Sequence, residues 1–348
     1  MRRGQAVARA ALELRRGGFV PDIVCVHPGW GEGLYLKDVF AGRPLLSFFE
    51  FYYHARGADV GFDPEYPGVF DDGPRLRTRN ALHLINLEAC DWGTSPTSWQ
   101  RQLHPAVFRP KISTIHDGID TEQARPDPRA RLRLENAGGL ELGPADEVVT
   151  YVARNLEPYR GFHSFMRTLP LVLARRPRAQ VVIVGEDGVS YGVTPRGGKT
   201  YRQIMMEEVG SDLDRTRVHF LGRVPYARFL QVLQVSAVHV YLTYPFVLSW
   251  SMLEAMAAGC AVVASATAPV EEVIRHTHNG LLVDFFSSSA IADAIDSVLD
   301  HPDRMRAMRE RARADVVERY DFKRVWLPRQ LQLIATLAAG RRPAPEPP

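Results

Sequence analysis

Apolar and polar positions follow two alternating patterns along most of the chain. Short β-branched runs predict nine strands, at residues 22–27, 44–49, 92–96, 112–116, 148–153, 179–185, 218–222, 237–243 and 260–265. Longer segments between them, such as 161–176 and 226–236, have apolar residues three and four apart, which is typical of amphipathic helices. Short strands alternating with helices predict an α/β fold with parallel sheets.

Two segments interrupt this alternation. Residues 124–147 are rich in proline, glycine and charge, which predicts an interdomain connection. Residues 341–348 are too rich in proline to pack and predict a disordered tail. The interruptions place an N-terminal domain at 1–123 and a C-terminal domain at 148–320. Because the first domain begins without a strand and a Gly-rich turn ahead of its helix, we expect its sheet to be incomplete.

Length and composition narrow the class of protein. A chain of 348 residues with 45% hydrophobic content favours two domains, with a single domain as the alternative. The net charge is only +3 and the arginines are scattered among acids, so nucleic acid is not expected as a partner. Three cysteines without metal-type spacing favour a reducing cytoplasm and no zinc.

The amino-terminal segment is the part of the sequence that bears on whether the protein contacts a membrane. No apolar run approaches the roughly 18 residues of a spanning helix. Residues 1–19 form an arginine- and alanine-rich helical pattern that Arg9 and Glu13 make unsuitable as a signal peptide. This pattern fits an ordinary surface helix or a basic patch that contacts anionic lipid at the inner face of the membrane. We therefore expect a cytoplasmic protein, with peripheral membrane contact as an alternative.

Two stretches at predicted strand ends carry candidate chemistry. Arg154 and Arg160 flank the turn after strand 148–153, where guanidinium groups suit phosphate oxygens, although surface arginines are also often merely solvated. After strand 237–243, Ser249 or Ser251 can cap a helix whose amino end would attract a diphosphate. Glu254 lies about one turn inside that helix and can accept hydrogen bonds from a ribose diol. The alternative for Glu254 is stabilisation by the helix dipole alone.

Several motifs together resemble the family-4 glycosyltransferases of the GT-B type. In the second half these are "VARNLEPYRGF", "VVIVGED", "VHFLGRVPY", "YPFVLSWSMLEAMAAGC" and "NGLLVDFF", and in the first half "HPGWGEG", "TSPTSWQRQLHP" and "STIHDGID". The resemblance is strongest over residues 149–322. It implies two Rossmann-like domains with parallel sheets facing a cleft, and an N-terminal domain that lacks its first part.

The resemblance also implies roles for single residues of the second domain. Arg154 and Arg160 fall on positions that bind the donor diphosphate, and Glu254 on the position that binds ribose. The base is expected near Gly222 and Arg223. Phe246 stands where relatives have a first glutamate, and a phenylalanine can stack on a sugar but cannot accept its hydroxyl hydrogen bonds.

In the N-terminal half, His27 closes a strand and matches a histidine that relatives place near the transferred sugar, which predicts a catalytic role. A capping role is the alternative for His27, and Glu32 either orients it or is solvent-exposed. The aromatic loop at 48–67 is a candidate acceptor site through Glu50, Tyr53 and Asp63, or else part of the core. The glycines of 194–202 lack the spacing of a phosphate loop and predict a mobile loop near the donor.

The last helical segment, 321–340, has an apolar face from Val325 to Leu337. The resemblance and this face predict a crossover helix that packs back on the N-terminal domain, with a kink at Pro328.

The resemblance implies a retaining hexosyltransferase that moves a sugar from a nucleotide diphosphate sugar to a carbohydrate or glycoconjugate acceptor. No metal or other cofactor is expected, because two arginines and a helix terminus can neutralise the leaving diphosphate. A non-catalytic protein that binds nucleotide-sugars or a partner is the alternative.

Overall fold

A computed structural model of the chain describes residues 1–345, and the last three residues of the predicted tail lie outside this range. Within the described residues the strands are short and follow the predicted order. They are β1 (Val24–Val26), β2 (Leu45–Phe48), β3 (Trp92–Ser95), β4 (Ile112–Thr114), β5 (Leu132–Leu134), β6 (Leu140–Leu142), β7 (Val148–Asn155), β8 (Gln180–Glu186), β9 (Val218–Gly222), β10 (Val238–Tyr241), β11 (Ala261–Ser265) and β12 (Leu281–Val283).

Helices connect most of these strands. They are α1 (Arg2–Arg16), α2 (Leu36–Val39), α3 (Asp72–Ala89), α4 (Ser98–Gln102), α5 (Phe162–Arg175), α6 (Tyr201–Val209), α7 (Tyr226–Gln234), α8 (Trp250–Ala257), α9 (Ala268–Glu271), α10 (Ser288–Asp300), α11 (Pro302–Tyr320) and α12 (Leu327–Ala338). Short 3-10 turns precede several of them, including Pro28–Trp30 and Pro158–Arg160.

The chain divides into two compact units. Unit 1 comprises Met1–Gly118, Pro245–Val247 and the residues from Phe322 onward, and unit 2 comprises Ile119–Tyr244 and Leu248–Asp321. The boundary after Gly118 lies a few residues before the predicted one at 123.

Unit 1 contains a four-stranded parallel sheet in the order β1-β2-β3-β4. Because successive side chains of a strand point to opposite faces, Leu45 and Leu46 enter two different clusters. Leu45 packs with Leu87 of α3 and with Ile112. Leu46 packs with Trp92 and Ile115 and with Leu333 and Leu337 of α12. Each face of this sheet is therefore covered by one long helix.

Unit 2 contains a six-stranded parallel sheet in the order β12-β11-β10-β7-β8-β9. The central strands read as continuous apolar runs because both faces are buried. Every residue of β10 and β11 is buried, as are the first four residues of β7. The carboxyl ends of β7 and β10 are neighbours, which brings the loops that follow them together.

The predicted connection at 124–147 is different in the structure. It belongs to unit 2 and contains the antiparallel hairpin of β5 and β6. Leu132, Leu134 and Leu142 are buried and pack against Val148 and Val182. The prolines and glycines lie in its turns, while the leucines alternate with charged residues, so composition alone concealed a packed hairpin.

The segment 321–340 is helical, but it is not a uniform α-helix. Phe322–Trp326 form a π-helical turn, and the α-helix begins at Leu327. Pro328 therefore lies in the first turn of α12, where its missing amide leaves no hydrogen bond unmade. Leu333 and Leu337 of this helix pack on the sheet of unit 1.

Among residues 1–345, no helix combines the length and the apolar character that crossing a bilayer requires.

Candidate functional site

The candidate site lies at the carboxyl edge of the unit 2 sheet. Arg154 is the penultimate residue of β7, Gly222 is the last residue of β9, and the segment leading to α8 follows β10. In a parallel sheet these strand ends share one edge, which is where open α/β sheets bind ligands. The structure thus brings the predicted donor residues of unit 2 to one edge of the sheet.

Arg160 is the most enclosed of these residues. Its side chain is buried, with the residue 7% exposed, and Nη1 donates to Thr243 Oγ1 at 2.8 Å and to the Tyr241 hydroxyl at 3.4 Å. Burial acts to lower the pKa of the guanidinium, but the hydroxyls of Tyr241 and Tyr191 outweigh it, so the pKa is raised above its ordinary value. The positive charge of Arg160 is therefore maintained inside the protein.

Gly161 fixes how the chain leaves Arg160. Its φ is +68°, in the left-handed region, and a Cβ atom there would lie 2.3 Å from Cβ of Leu242. Only glycine meets both conditions without strain, so the close approach of this turn to the end of β10 depends on it.

The amino end of α8 is connected to Arg160 through Tyr241. The Tyr241 hydroxyl, which accepts from Arg160, also accepts from the backbone amide of Ser249 at 2.8 Å. Ser249 is the N-cap of α8, and its Oγ accepts from the Ser251 amide at 3.4 Å. Both predicted capping serines are thus at the helix start, with Ser249 as the cap itself.

Glu254 lies in the second turn of α8 and is half-buried. Burial raises the pKa of its carboxyl, and a hydrogen bond from the Tyr226 hydroxyl to Oε1, at 2.9 Å, acts in the opposite direction. Among the described residues, Oε2 accepts no hydrogen bond. One oxygen of Glu254 is therefore held by the protein and the other is available to a ligand.

Arg154 and Arg223 are both exposed, and within residues 1–345 neither guanidinium makes a hydrogen bond or an ion pair. Gly222, next to Arg223, has φ +64° and open space where a side chain would begin. Arg154 and Arg223 are therefore two exposed positive charges, in contrast to the buried Arg160.

Replacing Glu254 by glutamine tests the predicted ribose contact. We expect binding of a ribonucleoside diphosphate to weaken about tenfold, because a hydrogen bond to a charged acceptor is worth roughly 1.5–3 kcal/mol. Binding of the 2′,3′-dideoxy analogue should not change. Calorimetric titration of both ligands measures the difference, with Glu310→Gln on the exposed side of α11 as the control. An unchanged preference for ribose would leave Glu254 with only its helix-dipole role.

Phe246 packs against another aromatic ring of unit 1. The short segment Pro245–Val247 groups with unit 1, and Phe246 is 5% exposed with its ring centroid 4.8 Å from that of Phe51. Aromatic side chains in such contact bury most of their surface. The expected donor contact of Phe246 stays a prediction, and its ring packs against protein in this structure.

His27 performs the capping role that is the alternative to catalysis. Its Nδ1 accepts from the Gly29 amide at 3.2 Å, and its ring stacks on Trp30 with centroids 4.7 Å apart. Nε2 lies 3.7 Å from Oε2 of Glu50 and remains partly exposed. Capping and a ligand contact can coexist, because they use different nitrogens. Glu32, by contrast, pairs with Arg3 at 3.3 Å and does not orient His27.

The three acceptor candidates of unit 1 have separate environments. Glu50 faces His27, as described. Tyr53 is half-buried beneath the Arg79 guanidinium, 3.9 Å from its ring centroid. Asp63 is 1% exposed and accepts from the Glu65 amide at 2.9 Å, so it closes a turn inside the loop. Burial makes an acceptor contact by Asp63 the least compatible of the three with this structure.

The glycine-containing loop after β8 makes polar contacts at its carboxyl end. Thr200 caps α6 in a reciprocal capping box with Gln203, and Lys199 pairs with Glu207 at 2.6 Å. Immediately before Lys199, Gly197 and Gly198 have φ +82° and +72°, in the left-handed region.

Sequence reasoning did not find Tyr241, Thr243, Tyr191 or Tyr226, which contact the predicted residues. Tyr226 had the clearest signal, because it begins a helical period three residues after Arg223. As for metals, no group of three or more His, Cys, Asp or Glu side chains in the described part of the chain is arranged to hold one.

Each of the two α/β units is built on a parallel sheet, and the candidate ligand residues lie at a sheet edge. These features define the protein as one with the GT-B glycosyltransferase fold. Solved structures share this fold at low sequence identity. A sucrose-phosphate synthase from Thermosynechococcus elongatus has a TM-score of 0.68 and 20% identity, covering 91% of this chain and 74% of its own. HepE of Anabaena in complex with UDP has a TM-score of 0.66 and 17% identity, covering 96% and 82%.

Family models identify the protein more closely. The model described as glycosyl transferase family 4 group matches residues 1–124. The model described as glycosyl transferases group 1 matches residues 139–315, just over half of the chain. The chain therefore belongs to the family-4, group 1 glycosyltransferases, and the predicted family is confirmed.

Relatives with assigned activities align with part of the chain. A D-inositol 3-phosphate glycosyltransferase from Nocardia farcinica is 30% identical over 59% of this chain and 43% of its own length. A GDP-mannose-dependent alpha-(1-6)-phosphatidylinositol monomannoside mannosyltransferase from Mycobacterium tuberculosis is 27% identical over 66% of this chain and 58% of its own. The chain thus spans about half the length of the curated relatives it matches.

Proposed function

We propose that the protein transfers a hexose from a nucleotide diphosphate sugar to a carbohydrate or glycoconjugate acceptor, with retention of anomeric configuration. The observation that carries this proposal is the connected set of contacts at the sheet edge of unit 2. Arg160 donates to Tyr241, Tyr241 accepts from the cap of α8, and α8 carries Glu254. A buried cation, a helix amino end and a carboxylate suit the diphosphate and ribose of one nucleotide.

Family membership and relatives support the finer parts of the proposal. Nucleotide-sugar use is supported by the GDP-mannose-dependent relative and by the structural neighbour bound to UDP. Both relatives described above have inositol-containing compounds in their names, so inositol phosphates belong among the acceptors to be tried. Retention rests on the family resemblance. The donor neutralisation proposed here uses Arg154, Arg160 and the amino end of α8, without a metal.

A titration followed by an activity assay tests this function. UDP and GDP are titrated calorimetrically, and the corresponding glucose and mannose donors are then incubated with the protein and with inositol phosphates. Release of nucleotide and formation of an α-linked product are the expected results. Binding without hydrolysis or transfer would favour the alternative, a non-catalytic nucleotide-sugar-binding protein, for which the packed position of Phe246 is the structural support. Absence of any nucleotide binding would contradict both.

Replacing Arg160 by alanine should separate diphosphate binding from nucleoside binding. We expect the affinity for a nucleoside diphosphate to fall about tenfold to a hundredfold, since a charge-assisted contact worth roughly 1.5–3 kcal/mol is lost. Affinity for the nucleoside should be unchanged in the same titration. Arg178→Ala, an exposed arginine that precedes β8 and pairs with Glu147, is the matched control. Equal losses for the two ligands would place Arg160 away from the phosphates.

We also propose a cytoplasmic protein with peripheral contact to anionic membranes through α1. Its apolar residues Ala8, Ala11 and Leu12 already pack against α2 and Val24, so they are not free to insert into lipid. Arg3 pairs with Glu32 and Arg15 donates to the Val39 carbonyl, which leaves Arg2, Arg9 and Arg16 toward solvent. Such contact would be electrostatic and weakened by salt, which sedimentation with phosphatidylserine vesicles can measure.

A further inference from the structure

Glu157 is a fully buried acid with an unusual set of partners. It is 0% exposed and lies in the turn between β7 and α5. Its Oε1 accepts from the Ser190 amide at 3.0 Å, and its Oε2 accepts from the amides of Tyr191 at 3.1 Å and Gly192 at 2.9 Å. Three successive backbone amides thus satisfy one buried carboxylate, which would otherwise be costly to enclose. Glu157 therefore fixes the backbone of the loop after β8.

The surrounding contacts make the same stretch of loop rigid. Asn155 Nδ2 donates to Ser190 Oγ at 2.6 Å, and the Tyr201 hydroxyl donates to the Val193 carbonyl at 2.7 Å. At Gly192 an added Cβ would lie 3.3 Å from Oε2 of Glu157. The loop is consequently held over residues 190–193, immediately before residues 194–202.

The side chain carried by this rigid stretch reaches the donor site. The guanidinium carbon of Arg160 lies 5.3 Å from the ring centroid of Tyr191, and a hydrogen bond from Arg160 to Tyr191 contributes to holding the charge of Arg160. The ring of Tyr191 covers one side of the guanidinium, while Thr243 and Tyr241 bind its Nη1. The direction of the Arg160 fork is therefore set from two sides.

We propose that Glu157 is a positioning residue for donor binding, and that it acts through Tyr191 on Arg160. This inference rests on the proposed function, because it takes Arg160 as a ligand of the donor diphosphate. By fixing the amides of residues 190–192, Glu157 places the Tyr191 ring against the guanidinium, so the fork is oriented before the diphosphate arrives. Preorganisation of this kind increases affinity by reducing the ordering that binding requires.

Glu157→Gln tests the first link, because an amide nitrogen cannot accept from the loop amides. We expect affinity for UDP or GDP to fall about tenfold, as for the loss of one charge-assisted hydrogen bond. Affinity for uridine or guanosine should not change. Glu207→Gln, which removes the exposed carboxylate paired with Lys199 of the same loop, should leave both affinities unchanged.

A double-mutant cycle tests whether Glu157 acts through Tyr191. Tyr191→Ala should itself lower diphosphate affinity, and adding Glu157→Gln to it should cause no further loss. Additive losses would overturn the proposal, because Glu157 would then act independently of Tyr191. Should Glu157→Gln fail to fold, the Tyr191→Ala variant alone decides, since equal diphosphate affinity in this variant and the wild type also overturns it. Wild-type protein that binds no nucleoside diphosphate would overturn the proposed function and this inference together, whereas the other adverse results overturn the inference alone.

Discussion

Replacing both Leu333 and Leu337 by alanine should strongly destabilise unit 1 while unit 2 still binds nucleotide. The two side chains are 6% and 3% exposed and pack against Leu46, Trp92 and Ile115 on one face of the four-stranded sheet. A buried leucine replaced by alanine costs about 2–5 kcal/mol, so the pair should lower the free energy of unfolding by roughly 4–10 kcal/mol. Such a loss is comparable with the whole stability of many domains.

Tryptophan fluorescence during urea unfolding measures this effect. Four of the five tryptophans, at positions 30, 92, 99 and 326, belong to unit 1, and Trp250 belongs to unit 2. Leu331→Ala is a control within the same helix, because Leu331 is 55% exposed. Nucleotide titration reports whether unit 2 remains intact. An unfolding midpoint unchanged by the double substitution would show that α12 does not stabilise the sheet on which it packs.

Unit 1 should also lose stability in mildly acidic solution. Burial lowers the pKa of His83, His104 and His116 to about 4 in the folded protein, from an ordinary value of 6.5. Below pH 6.5 the unfolded chain binds protons that the folded chain does not, so stability is complete above this pH and falls as the pH approaches 4. At pH 5 each histidine should cost about 2 kcal/mol, and the three together roughly 6 kcal/mol.

Urea unfolding of unit 1 at pH 7.5 and pH 5 measures this loss. Replacing His83 by glutamine should reduce the difference between the two pH values by about a third, because one of the three titrating groups is removed. The exposed His301 of unit 2, replaced in the same way, is the control. An equal pH dependence in wild type and His83→Gln would mean that other groups cause the acid sensitivity.

The sequence was sufficient to place most of the regular α/β elements and the edge of the sheet that carries the candidate site, although β12 was not among the predicted strands. The apolar runs at 148–153 and 237–243 correspond to β7 and β10, which lie at the centre of a sheet and are buried on both faces. Such strands produce long apolar runs that are visible without any tertiary information. The positions of Arg154, Ser249 and Glu254 could be predicted from these strand ends, because residues at or after the end of a parallel strand lie at the carboxyl edge of the sheet.

Shorter and tertiary features could not be predicted in this way. The strands β5 and β6 have three residues each. Three residues are too few for the alternation of a strand to be recognised beside prolines and glycines, which indicate a loop. The contacts of Arg160 with Tyr191 and Thr243 join residues far apart in the chain. The packing of Phe246 on Phe51 also joins residues far apart in the chain. An aromatic residue in a loop belongs to no periodic pattern from which its packing partner could be predicted.

The placement of α12 in unit 1 affects the order in which the two units can be completed during synthesis. Unit 2 ends at Asp321, whereas the sheet of unit 1 receives its second covering helix only from residues made afterwards. At ribosomal rates of about 5–20 residues per second, the interval between the end of β4 and the end of α12 is roughly 10–45 s. Throughout that interval Leu46, Trp92 and Ile115 lack their helical partner. The nascent chain therefore presents an apolar sheet face well after its strands have been made, and transiently exposed apolar surface of this kind promotes aggregation during folding.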